Sequence, residues 1–162
     1  MITYRCFRND DPPRLAEVWR TADLGPLAMQ PMTTAELEAG VFSKPYFDRR
    51  GLIVATENNQ IVGFAHAGFG PTADQKGIDT RVGSTLLAVV PPHALENEIS
   101  DQLLVRCENY LLESGATCLL GGGNDVCRGF YLGLYGGSDL PGILDSSPKM
   151  QQMFERAGYR QQ

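Results

Sequence analysis

The sequence predicts an α/β domain, and three observations carry that prediction. Residues 82–115 read as an apolar, β-branched run, a Pro-Pro break and a long amphipathic segment ending in glycine: strand, sharp turn, helix. Ahead of it, 51–56 and 61–69 are apolar runs separated by Glu57, Asn58, Asn59 and Gln60, a hairpin whose asparagines accept positive φ at the turn. Behind it, Ser147 and Pro148 open a short helix, PKMQQMFERAG, closed by Gly158. A helix N-terminus beside the carboxyl end of a buried strand is where open α/β sheets bind anions, so the first unit holds the favoured place for a site.

Taken in order, Ile2 to Phe7 alternate apolar and polar residues and predict a first strand. Asn9, Asp10 and Asp11 before Pro12 cap a helix that turns Leu15, Val18, Trp19 and Ala22 inward. Trp19 reads as core, with the lining of a pocket as the functional alternative. Pro26 and Pro31 break 23–32 into a loop in which Met29 and Met32 suit packing. Thr33 and Glu36 then form a capping box for a helix burying Leu37 and Val41. If the domain holds a substrate pocket, this loop and short helix are the natural place for its specificity.

On the second hairpin strand Phe64, His66 and Gly68 share one face, and Gly63, Ala65 and Ala67 the other. His66 is a candidate general base, since a neutral imidazole can take a proton from an amine; the alternative is a structural histidine. Residues 70–81 are polar and turn-rich and predict a flexible connection. The strand 82–90 is apolar enough to be central, and Pro91 and Pro92 end its pairing. The next helix carries Leu95, Ile99, Leu103, Cys107 and Leu111 at four-residue spacing, with Leu104 and Leu112 beside them. Thr117–Leu120 predict a short buried strand. Gly121 to Gly123 lack the lysine of a P-loop and serve a turn. The following stretch packs Phe130, Tyr131, Tyr135, Leu140 and Ile143 over the sheet.

Composition excludes some functions. The chain of 162 residues is expected to be one domain over 1–162, with a formal net charge of −5 and no cluster of Lys or Arg to grip nucleic acid. The four cysteines, Cys6, Cys107, Cys118 and Cys127, are scattered without ligand spacing, which predicts reduced, mostly buried thiols and no metal site. MITYRCFRNDD is strand-like rather than a signal peptide, and no apolar run reaches membrane-spanning length, so a soluble, cytoplasmic chain is expected.

The order of these elements, together with the ending MFERAGYR, resembles the GNAT superfamily of acetyl-CoA-dependent N-acetyltransferases. The resemblance implies a mixed, mostly antiparallel central sheet flanked by helices, with a splayed strand pair at its centre. It implies acetyl-CoA as cofactor, its pantetheine arm paired by the main chain of Ala88, Val89 and Val90. Asn97, Glu98, Ile99 and Ser100 fall where the family's Q/R-x-x-G-x-G/A loop cradles the pyrophosphate. Here that window holds neither the basic residue nor the glycines. Glu96, Glu98 and Asp101 suit the helix dipole yet oppose a pyrophosphate, while Pro91–Leu95 leave amides for a displaced binding mode.

The family's proton-donating tyrosine matches Phe154, which carries no such proton. A second register, from Asn124 to Phe130 and Tyr131, makes Tyr131 a candidate donor, with a buried, hydrogen-bonded tyrosine as the alternative. In the family, GYR begins strands that complete the sheet; with the chain ending at Gln162 these are expected to be missing, as in a fragment or in one half of a tandem GNAT protein. The resemblance implies acetyl transfer directly to a small-molecule or peptide amine. The rival is a noncatalytic GNAT-like module supporting a second GNAT domain or a homodimer.

Overall fold

The computed structural model describes residues 1–123, 127, 129–135 and 142–161. Five strands form one sheet in sequence order: β1 (Ile2–Cys6), β2 (Leu52–Glu57), β3 (Gln60–Pro71), β4 (Ile78–Val89) and β5 (Cys118–Gly121). β1 to β4 pair antiparallel, and β5 runs parallel to β4. The helices are α1 (Pro12–Thr21), α2 (Thr34–Leu37) continued by a π turn over Glu38–Phe42, α3 (Glu96–Glu113) and α4 (Pro148–Arg156). The mixed, mostly antiparallel sheet flanked by helices is the architecture expected.

Local chemistry accounts for the element ends. Asn58 and Asn59 take φ of 48° and 63°, which closes the β2–β3 hairpin. The capping box of α2 is present: Glu36 N–H donates to Thr33 Oγ1, and Thr33 N–H donates to Glu36 Oε2 at 2.8 Å. Asp11 does not cap α1 with its side chain. Its buried carboxylate instead accepts two hydrogen bonds of 2.7 Å from the Arg5 guanidinium and one of 2.7 Å from Arg8 N–H, pinning the start of α1 to β1.

The strand period divides the core into two layers. Leu52, Val54 and Phe64 face α1, α2 and α4, with Trp19, Met32, Leu37 and Val41 packed against them. Ile53, Ala55, Ala65 and Ala67 face α3, whose Ile99, Leu103, Cys107 and Leu111 fill the other layer. The small side chains on that side let the long helix lie close to the sheet. Phe130, Tyr131 and Tyr135 are buried over the first layer, and Ile143 packs against it, as expected; Leu140, with Asn124, lies outside the described residues.

Several expectations are corrected. Residues 70–81 are not merely a flexible connection: β3 runs on to Pro71 and β4 begins at Ile78, so the two ends of this turn-rich segment pair as Gly70↔Asp79 and Pro71↔Ile78. The ladder supplies backbone bonds whatever the side chains, and an exposed hairpin arm can therefore be polar. Leu95 and Leu112, expected on the apolar stripe of α3, are 43% and 53% exposed. Leu95 sits at the helix cap and Leu112 one position off the buried line. β5 is half-exposed rather than buried, since among the described residues it has only β4 as a strand neighbour. Cys107 and Cys127 are buried, but Cys6 and Cys118, on the two outermost strands, are exposed.

Candidate functional site

The pairing of β4 with β5 ends at Thr85↔Gly121, followed by one hydrogen bond of 2.8 Å from Gly122 N–H to Thr85 O. From Leu86 to Val89, β4 keeps only β3 as a strand partner among the described residues. A β-bulge accounts for the divergence. His66 lies opposite Leu87 and Ala67 opposite Thr85, so Leu86 is an extra residue on β4. Such a residue bends its strand and increases the local twist, which carries the end of β4 away from β5. On the β5 side, the Phe154 ring lies so close to Gly121 that an added Cβ would come within 2.8 Å of it. Only glycine lets the strand finish there.

A cleft of about 120 Å³ opens beside the free end of β4. Its floor is Leu87, Ala88, Val89 and Val90. One wall is the start of α3, with Glu96, Asn97 and Ser100; the other is the start of α4, with Ser147, Lys149, Met150 and Met153. Trp19, Asp23, Leu24 and Tyr135 complete it from the helical layer. Trp19 is at once core and lining: it is fully buried, and its indole N–H donates to Met29 O at 3.0 Å.

Two ion pairs tie the walls together. Lys149 Nζ donates to Glu96 Oε1 at 2.6 Å across the first turns of α4 and α3. Farther along, Arg156 Nη2 and Nε reach Asp101 at 2.6 and 3.1 Å. The β4–α3 connection is fixed as well. His93 Nδ1 accepts from Leu95 N–H at 3.0 Å, which leaves Nε2 to donate to Glu57 at 3.3 Å. Glu96 N–H donates to His93 O. The amides of Leu95 and Glu96 are therefore engaged, and Pro91 and Pro92 have none, which narrows the displaced binding mode to His93 and Ala94.

The candidate residues separate into three groups. Ala88, Val89, Val90, Asn97 and Ser100 line the cleft. Ile99 is buried beneath α3, and Glu98 is exposed near Tyr4, whose pKa is raised chiefly by burial, with a smaller push from Glu98. His66 and Tyr131 lie together elsewhere, with His66 Nδ1 and the Tyr131 hydroxyl 3.0 Å apart inside a nest of Phe47, Phe130 and Trp19 rings. Burial pushes His66 down to about 3 and keeps it neutral. Burial likewise raises Tyr131 well above the ordinary phenol. Phe154 packs edge-on to Tyr159 and is buried.

Tyr135, which the sequence marks only as packing, is the tyrosine that lines the cleft. Its hydroxyl is 2.9 Å from Ser147 Oγ, and burial raises its pKa, so it stays protonated. Nothing in the sequence distinguishes it from Tyr131 four residues earlier.

The residues can be tested against an acyl-CoA. Main chain on β4 that no second strand pairs among the described residues, in an apolar floor, fits the thioester end and the amide-bearing arm. The nucleotide end meets a carboxylate, Glu96, and an ammonium, Lys149, where a phosphate requires cations and close backbone approach.

No protein-family model matches the sequence, and no curated protein matches it. Solved structures do match. A GNAT-family protein from Desulfovibrio desulfuricans superposes with a TM-score of 0.64 over 100% of this chain and 87% of its own, at 16% identity. The fold is that of the GNAT acetyltransferases. A GNAT family acetyltransferase from Brucella melitensis in complex with acetyl-CoA matches with a TM-score of 0.58 at 16% identity, over 82% of this chain and 80% of its own. A transcriptional regulator from Bacillus halodurans matches with a TM-score of 0.64 at 17% identity, over 99% of this chain and 93% of its own. The GNAT fold thus carries more than one description, and identity this low speaks to architecture alone. Among the described residues no helix is long and apolar enough to cross a membrane, and no three His, Cys, Asp or Glu cluster as a metal site would require.

Proposed function

We propose that this chain is an acetyl-CoA-dependent N-acetyltransferase, moving acetyl from the thioester directly to an amine. The observation that carries the reading is the free edge of β4 beyond Thr85, opening onto a cleft between two helix starts. Main-chain groups there can hold an amide-bearing arm and offer hydrogen bonds to the oxygen that gains charge as the amine attacks. The cofactor supplies the activated acetyl group. The new C–N bond forms as the C–S bond breaks, the amine loses a proton, and the departing thiolate gains one.

Tyr135 would give that proton, a role supported by its lining the cleft in its protonated form with Ser147 against its hydroxyl. His66 has no such access, being wholly enclosed. The acceptor would enter on the side of Asp23 and Leu24, where an exposed carboxylate suits a cationic amine. Small-molecule and peptide amines both answer that description.

A second reading, a noncatalytic GNAT-like module that stabilises a second domain or a second copy, is favoured by one feature. The cleft of about 120 Å³ is below the roughly 300–1,000 Å³ usual for a ligand pocket, because Glu96 and Lys149 meet across it. Calorimetric titration with acetyl-CoA separates the two. Saturable heat together with thermal stabilisation is expected of the enzyme; neither at millimolar ligand would leave the module.

A further inference from the structure

We propose that Lys149 is the diphosphate-binding cation of the cleft, and that Glu96 masks it until such a ligand enters. The inference rests on the acetyl-CoA reading above and concerns the half of that ligand which the α3 side of the cleft does not accommodate. The first turn of α3 carries Glu96 and Glu98 and has no basic side chain. A diphosphate placed there must draw its counter-charge from another element. Among the described residues lining the cleft, Lys149 is the one cation, and it comes from the opposite wall, in the first turn of α4.

Its present partner is replaceable. The Lys149–Glu96 pair is 2.6 Å long, but its side chains are 58% and 24% exposed, and solvent-screened pairs of this kind contribute little to stability. A diphosphate presents several anionic oxygens to one ammonium, against a single carboxylate, so exchange favours the ligand. The four-carbon stem of lysine permits the swing without moving its helix. The walls hold meanwhile, because Arg156 keeps Asp101 in a forked contact farther along the same two helices. Once Lys149 leaves, Glu96 is free to turn outward, which removes the one anion of the α3 wall that faces the cleft.

The test compares two ligands by calorimetry on the intact chain: acetyl-CoA, and acetyl-pantetheine, which has the thioester arm without the diphosphate. Lys149→Ala should weaken acetyl-CoA about tenfold, the scale of one charge-assisted contact, and leave acetyl-pantetheine within about twofold. Lys149→Arg should restore most of the loss, and Glu96→Gln should tighten acetyl-CoA several-fold. Both side chains lie near the surface, so the variants are expected to keep the wild-type melting temperature, which is checked alongside. Equal weakening of both ligands by Lys149→Ala, or no effect on acetyl-CoA, would overturn the assignment, as would a Glu96→Gln variant no tighter than wild type. Binding of acetyl-pantetheine alone by the wild type would sink the Lys149 role while sparing the transferase reading. Binding of neither would end both.

Discussion

His66 makes a prediction that can be worked from the structure alone. It is wholly buried, its Nε2 has no hydrogen-bond partner among the described residues, and burial holds its folded pKa near 3 against an ordinary 6.5. The unfolded chain therefore takes up a proton as pH falls through 6.5 while the folded chain does not. Stability is fully present above that value and declines as acid is added, down to the folded pKa. Integrated between pH 7.5 and 5, the loss is about 2 kcal/mol, approaching about 1.4 kcal/mol for each pH unit at the acid end. That window lies above the range in which Asp11, Asp48 and Asp79, all held below the ordinary carboxylate value, would titrate. The assay is urea unfolding at pH 7.5, 6 and 5 for the wild type and for His66→Gln, whose amide still reaches the Tyr131 hydroxyl but does not titrate. The slope should disappear in the variant. A flat wild-type profile, or one that His66→Gln leaves unchanged, would show that the imidazole is charged or solvated in the fold, and would return it to the candidates for a general base.

Three further outcomes are expected. Tyr135→Phe should lower turnover with an accepted amine by roughly 100-fold or more while leaving acetyl-CoA affinity unchanged, at a stability cost of about 1 kcal/mol for the contact with Ser147; unaltered turnover in single-turnover kinetics would remove it from the chemistry. Asp11→Asn should destabilise by about 1–3 kcal/mol in urea, since the Arg5 guanidinium and Arg8 N–H lose a buried carboxylate. Burial alone would raise the Asp11 pKa, but these donors outweigh it, so the contribution persists above the ordinary carboxylate range and is lost as pH falls through the lowered value. Gly121→Ala should cost about 1–3 kcal/mol by driving a methyl group into Phe154, and a melting temperature equal to wild type would contradict the packing that ends β5.

The fold was legible wherever a local rule acts without competition. Two asparagines at a turn, a threonine three residues before a glutamate, and two prolines after a β-branched run each dictate the backbone nearby. The polar arm over 70–81 was not, because a ladder can extend through residues with no strand preference once the pairing before them is set. The site divides in the same way. The strand floor at Ala88–Val90 follows from the order of elements. The bulge at Leu86 that frees it depends on the register between two strands, which side-chain pattern does not encode. Tyr135 and Lys149 come from segments distant in sequence and join the cleft only through tertiary packing, whereas His66, mid-strand among small residues, turned out to face a closed aromatic layer.

Amide hydrogen exchange along β4, with and without acetyl-CoA, tests the central claim most directly. Residues paired on both sides, Ser84 and Thr85, should be protected in either state, whereas the outward-directed amides between Leu86 and Val89 should exchange quickly and slow once ligand is added. Uniform protection from Ser84 to Val89 without ligand, unchanged on its addition, would mean that the strand edge is already satisfied and that the cleft holds no thioester.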